Sequence, residues 1–247
     1  MFDSHLHIVD PRFPLVANAG YLPEAFTVAD YLQRVRTLGV TGGAVVSGSF
    51  QAFDQSYLVD ALARLGPGFV GVTQLPATAS DRQILDLDAA GVRAIRFNLY
   101  RGGSEGPARL DRLARRVFDL AGWHTELYVD AADLPGLEPV LTALPKVSID
   151  HLGMSEAGRG ALLRLVEAGL RVKATGFGRV RLDVPATLRA IHAADPGALM
   201  AGTDLPSTRA ARPFADADLA LLVDALGEEA AEAVLVTNAR DFYGVGA

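Results

Sequence analysis

The runs Gly43-Ala44-Val45-Val46-Ser47, Phe69-Val70-Gly71-Val72-Thr73 and Val92-Arg93-Ala94-Ile95-Arg96-Phe97 are separated by segments of helical period, roughly 54–65 and 80–90. Short apolar, β-branched runs read as buried strands, and a helix between successive strands supplies the right-handed crossover that parallel pairing needs. The beat continues outward in both directions. Toward the N-terminus, Phe2–Ile8 opens as a strand, and Thr27 N-caps a helix to about Leu38, stopped by Gly39. Toward the C-terminus, helices near 108–121, 133–143 and 156–168 alternate with strands at Thr125–Asp130, Val147–His151, Leu170–Thr175 and Leu199–Thr203. Eight strands in 247 residues predict an α/β fold, a (β/α)8 TIM barrel formed as a single domain over 1–247. A doubly wound open sheet is the alternative, but it usually needs fewer strands. No shift of composition or linker divides the chain.

A barrel places its chemistry at the carboxyl ends of the strands. His5 and His7 stand two apart on strand one, so they project from one face while Leu6 packs the other way. Such a pair can grip a metal ion or polarise a carbonyl oxygen. Ser47 and Ser49 close strand two, and Asn98 and Arg101 follow strand four. Tyr128 and Asp130 close strand five, His151 closes strand six with Asp150 on the opposite face, Arg179 follows strand seven and Asp204 follows strand eight. His5, His7, His151 and Asp204 are expected to converge at one pocket mouth. Between Val9 and Phe26 the chain is punctuated by Pro and Gly and shows no period; a connection of this length reads as a lid over the pocket. Glu126 and Lys173 share inward parity on strands five and seven and are expected to pair inside the barrel, because a buried carboxylate needs a partner.

Bulk properties narrow the function. Half of the residues are hydrophobic, enough for a large core, and the formal net charge of -6 argues against a sequence-independent nucleic-acid binder. The absence of cysteine excludes disulfides, a thiolate nucleophile and thiolate metal ligands. No apolar run approaches a membrane span, and a strand starting at residue 2 leaves no room for a signal peptide. A soluble cytoplasmic protein is the expectation; oligomeric state is not legible.

The segments Asp3-Ser4-His5-Leu6-His7, Gly91-Val92-Arg93-Ala94-Ile95-Arg96-Phe97-Asn98, Ile149-Asp150-His151-Leu152-Gly153 and Ala201-Gly202-Thr203-Asp204-Leu205-Pro206 together resemble the amidohydrolase superfamily. Within it, they are similar to the branch of 2-pyrone-4,6-dicarboxylate lactonases and sugar lactonases. The resemblance spans the chain, down to an Asn-Ala-Arg-Asp-Phe-Tyr-Gly tail at Asn238–Gly244. It implies a (β/α)8 barrel whose active site is built from the paired histidines, the strand-six histidine and the strand-eight aspartate. Metal-dependent members often carry a strand-five histidine or carboxylated lysine at the metal. Here His124 opens that strand and Tyr128 and Asp130 end it, which weighs against two ions. The dicarboxylate lactonases work without a metal, so one Zn²⁺ on His5, His7, His151 and Asp204 is compatible with the resemblance and not required by it.

The residue types suit hydrolysis of a lactone carrying carboxylate groups. Asp204 is the natural general base. The histidines hold a Lewis-acidic ion or donate directly to the oxyanion, with Tyr128 assisting. Arg96, Arg101 and Arg179 suit forked binding of carboxylates, and Ser49 and Asn98 complete the substrate-binding set. The competing readings are a metal-dependent amidohydrolase or nonoxidative decarboxylase, a metal-dependent nuclease, and a catalytically silent barrel that only binds. The nuclease fits poorly, since Arg96-Phe97-Asn98 stands where such enzymes place a metal-binding Glu.

Overall fold

A computed structural model describes residues 1–246. Eight strands, β1 (Phe2–Leu6), β2 (Gly42–Val46), β3 (Phe69–Thr73), β4 (Val92–Asn98), β5 (His124–Tyr128), β6 (Val147–Ile149), β7 (Arg171–Ala174) and β8 (Leu199–Ala201), lie side by side in chain order. Every neighbouring pair is parallel. Helices α1 (Val28–Val35), α2 (Ser56–Leu65), α3 (Asp81–Ala89), α4 (Pro107–Ala121), α5 (Leu134–Leu141), α6 (Arg159–Glu167) and α7 (Val184–Ala194) fill the crossovers, and α8 (Ala217–Leu226), α9 (Glu228–Glu232) and α10 (Asn238–Tyr243) end the chain. This is a (β/α)8 barrel. Thr27 caps α1 as expected, in a reciprocal capping box with Asp30, although the helix ends at Val35, short of Leu38.

The seam between β8 and β1 closes above the strands, through Asp204 N–H to the His5 carbonyl (2.7 Å) and His7 N–H to the Leu205 carbonyl (2.8 Å). The strand ends that carry the chemistry are therefore also what shuts the sheet. Alternation sorts the side chains: Val45, Ile95, Phe97, Leu127 and Val172 pack outward against the helices, while Ala44, Val46, Val70, Val72, Ala94 and Met200 fill the interior. A bulge between Asp3 and Leu6 shifts the phase of β1, so that Phe2 joins the interior core and His5 also points inward.

Two departures from the expected strands matter. β6 stops at Ile149 and does not reach His151. The chain then turns through four residues of positive φ, His151 (51°), Leu152 (53°), Gly153 (73°) and Met154 (70°). Strand alternation thus carries Asp150 inward, correcting its expected outward placement, and His151 reaches the same pocket by the left-handed turn. The tail, with Gly244 left-handed at the end of α10, closes the opposite mouth of the barrel, where Tyr243 stacks on Phe2 and its hydroxyl donates to Glu126 Oε1 at 2.5 Å. Among the described residues, no helix is long and apolar enough to cross a membrane.

Candidate active site

At the carboxyl ends of the strands a cleft with about 340 Å³ of space unfilled by atoms is lined by His7, His151, Tyr128, Arg96, Arg101, Arg179, Ser49 and Asn98. His5 and Asp204 lie fully buried beneath its floor. Gly48, Phe50, Thr208 and Arg209 complete the lining and were not anticipated. A larger groove beside α4 is lined by Arg109, Arg112 and Arg116, but it holds none of the histidines or buried carboxylates, so chemistry and not size identifies the site.

The floor is a knot of imidazoles around one carboxylate oxygen. Asp204 Oδ1 lies 3.6 Å from His7 Nε2, 3.8 Å from His5 Nε2 and 3.9 Å from His151 Nε2. It is buried with no hydrogen-bond partner. The other carboxylate oxygen takes the Arg179 fork, from Nε at 2.8 Å and from Nη2. Burial is the largest single influence on the Asp204 carboxyl and would raise it, but the Arg179 charge together with His151, His7 and His5 outweighs it and holds the group far below the usual carboxylate range. Burial pushes His5 down to about 3, against the pull of Asp150. It pushes His151 down as well, against the pull of Asp204. At neutral pH the site therefore presents an ionised carboxylate beside the neutral imidazoles of His5 and His151.

Each ring is oriented by a second contact. His7 Nδ1 lies 2.7 Å from the Val46 carbonyl. A carbonyl only accepts, so Nδ1 carries the proton and a neutral His7 offers a bare Nε2. That Nε2 lies 3.3 Å from His5 Nε2. His151 Nδ1 meets Thr175 Oγ1 at 2.8 Å. His5 Nδ1 faces both Asp150 Oδ1 and Lys173 Nζ, each at 3.4 Å. Close approach at Gly176 is part of the fit, since a Cβ there would stand 2.8 Å from His151 Nδ1 and 3.0 Å from Arg179 Nε.

This donor set fits a single divalent ion. Ligands each at about 2.0–2.1 Å from a tetrahedral Zn²⁺ stand roughly 3.3–3.5 Å apart, close to the separations of 3.3, 3.6 and 3.8 Å among His5 Nε2, His7 Nε2 and Asp204 Oδ1. An overlapping trio, His5, Asp150 and His151, shares one of those ligands. The Val46 carbonyl and Asp150 stand where outer partners of ligating imidazoles normally do.

The arginines are placed less uniformly than the sequence implied. Arg96 is buried and already engaged, by Nη2 and Nε with Asp150 Oδ2 (2.7 and 3.2 Å) and by Nη1 with the Ser47 carbonyl (2.8 Å). Arg179 is shared between Asp204 and the Tyr128 hydroxyl, 3.4 Å from Nη1. The carbonyl oxygen of the Asn98 side chain accepts from Arg101 N–H at 3.0 Å, which shapes the loop that carries Arg101. Below the floor Lys173 pairs with Glu126, as parity indicated, and lies 3.6 Å from Asp150 Oδ1. The lid, Val9–Phe26, is pinned at its base by reciprocal 2.8 Å bonds between Val9 and Phe26 and along its length by Val16 N–H to the Phe50 carbonyl (2.8 Å).

The amidohydrolase family model matches residues 2–245. The chain is 32% identical over 163 residues to a 2-pyrone-4,6-dicarboxylate hydrolase of Comamonas testosteroni, a match covering 64% of this chain and 53% of that protein. It thus aligns with about half the length of that relative. It is 26% identical over 272 residues to a 4-sulfomuconolactone hydrolase of Rhizobium radiobacter, covering 99% of this chain and 90% of the other. A crystal structure of an Agrobacterium tumefaciens protein in its apo form superposes with a TM-score of 0.87 at 25% identity, covering 99% and 96% of the two chains.

Proposed function

The chain belongs to the amidohydrolase family and is a hydrolase, and from that premise we propose that it opens the ring of a small carboxylated lactone with a water activated by Asp204. One observation carries this reading: Asp204 Oδ1 is buried, unpartnered and ringed by three imidazole nitrogens. The relatives named for hydrolysing a pyrone dicarboxylate and a sulfomuconolactone support the substrate class.

Asp204 accepts a proton from water as the water oxygen attacks the lactone carbonyl. The developing oxyanion is met by an imidazole N–H of His151 and by the Tyr128 hydroxyl, both of which line the cleft. The ring C–O bond then breaks, and the proton held on Asp204 passes to the leaving oxygen. Arg179 ties this cycle to the substrate's charge. While it is forked onto Asp204 the carboxylate is a weak base; a substrate carboxylate that shares the guanidinium draws the fork away and restores basicity. A divalent ion, when bound by His5, His7, His151 and Asp204, supplies Lewis acidity toward the carbonyl and a more acidic water.

A panel of lactones with and without a carboxylate, read by proton release with and without a chelator or added Zn²⁺, tests the reading. Ring opening of the carboxylated members is expected, and Asp204→Asn should lower kcat by about 10²–10⁴-fold. Activity that survives Asp204→Asn would mean that the base lies elsewhere. A metal-dependent nonoxidative decarboxylase, which the ion-compatible spacing also suits, would instead release CO₂ from an aromatic acid and lose that activity with the chelator.

A further inference from the structure

In the loop after β8, Asp204, Ser207 and Arg209 all adopt left-handed backbone, with φ of 58°, 65° and 59°. None is glycine, so the conformation costs free energy that surrounding contacts must offset. For Arg209 those contacts come from the lid. Nη1 donates to Asn18 Oδ1 at 2.9 Å, Nη2 donates to the Asn18 carbonyl, and the guanidinium carbon stands 4.3 Å from the Tyr21 ring centroid. Asn18 and Tyr21 bracket the lid's tip, bonded to one another in both directions at 3.0 and 3.1 Å. The two residues between them, Ala19 and Gly20, have φ of 48° and 74°, as in a tight hairpin turn. Asn18 Nδ2 also donates to the Arg101 carbonyl at 3.2 Å. The tip therefore fixes both Arg209 and the loop bearing Arg101 at the edge of the cleft.

The four cleft arginines fall into two kinds. Arg96 and Arg179 are balanced by Asp150 and Asp204. Arg101 and Arg209 have no carboxylate within 4.0 Å among the described residues. Burial, and then the charge of Arg101, push the Arg209 guanidinium below its ordinary value. Two like charges bordering one cleft without a counter-ion are a cost that a bound anion relieves.

We propose that Arg209, aimed by lid residue Asn18, is a specificity-determining residue that selects substrates bearing a second anionic group, remote from the ester that breaks. It closes on that group together with Arg101. The identity of the substrate as a lactone rests on the reading above; the anion clamp rests on the geometry alone.

Equilibrium binding of isophthalate and benzoate, which differ by one carboxylate, measured by calorimetry on the intact protein, tests the clamp without turnover. The parent should prefer isophthalate. Arg209→Met should cut the ratio of the two affinities by about tenfold, and Arg209→Lys, which keeps the charge without the fork, should cut it less. Asn18→Ala should also reduce the ratio, which loss of a merely structural contact would not do. Should Arg209→Met melt early, Arg209→Gln and Asn18→Ala decide by the same ratio. A parent without preference for isophthalate, or an Arg209→Met protein whose ratio stays within about twofold of the parent's, overturns the proposal. If the clamp behaves as expected and no lactone is opened, it is the lactonase reading that fails. If lactones are opened and the ratio ignores Arg209, it is the clamp.

Discussion

Asp150 accepts from Arg96 Nη2 at 2.7 Å and stands 3.4 Å from His5 Nδ1 and 3.6 Å from Lys173 Nζ, with every partner almost wholly buried. Burial would raise its carboxyl, but His5, Arg96 and Lys173 together hold it well below the ordinary value. It is the counter-charge of the buried Arg96 and shares Lys173 with Glu126, and it orients an active-site ring without reaching the cleft itself. Asp150→Asn leaves Arg96 without its carboxylate while Lys173 keeps Glu126, and the loss of one partner of a buried pair typically costs roughly 3–5 kcal/mol. Urea unfolding should show a loss of that size, with a fall in kcat that exceeds any rise in KM because His5 is no longer held. A variant with parental stability and kcat would show that Asp150 is a bystander. The sequence made Arg96, Glu126 and Lys173 legible because each sits inside a regular strand, where alternation fixes the face. It misplaced Asp150 because the left-handed turn at His151 and Leu152 is made by ordinary residues that carry no turn signal. Arg209 and Asn18 escaped for a related reason: aperiodic loops say nothing about where a side chain points.

At the level of elements, the alternation of apolar runs and helical segments exposed the barrel because each βα unit repeats one periodicity. The lengths were less readable. β6 and β8 have three residues each, since the chain leaves the sheet early to deliver His151 and Asp204 by turns. That shortness puts weight on the seam. Gly202 lets β8 approach β1 closely: a Cβ there would stand 2.7 Å from His5 N, 2.9 Å from Thr175 Cγ2 and 3.0 Å from Asp3 Oδ1. Two of those neighbours are backbone or tightly held, for Asp3 is bound by Thr203 Oγ1 at 2.7 Å and Tyr31 OH at 3.0 Å. Gly202→Ala must therefore spread the seam, at a cost of about 1–3 kcal/mol, the range for overpacking. Because Asp204 and His5 are bonded across that seam, kcat should fall with stability. Gly160→Ala, on the outside of α6 with only the far end of Arg164 nearby, 3.8 Å from its Cβ, should leave both unharmed. Equal melting temperatures for the two variants would mean that the seam is slack.

Across the whole molecule two fields act on an anionic substrate. The net charge of -6 repels it at long range, while Arg101, Arg179 and Arg209 at the cleft attract it on arrival. Salt separates the two because they act over different distances. Screening extends over about 10 Å at 0.1 M ionic strength and about 3 Å at 1 M. Raising salt from about 0.01 to about 0.1 M therefore removes most of the long-range repulsion and leaves contact at the arginines nearly intact. Raising it further weakens the arginines themselves. For a carboxylated lactone, kcat/KM should rise or hold level up to about 0.1 M and then fall several-fold toward 1 M. A neutral lactone of the same ring should show a flat profile over the whole range, since neither field grips it. Arg209→Gln should shrink the high-salt fall by removing one of the attracting charges. A carboxylated substrate whose kcat/KM ignores salt throughout would show that the cationic rim plays no part in capture.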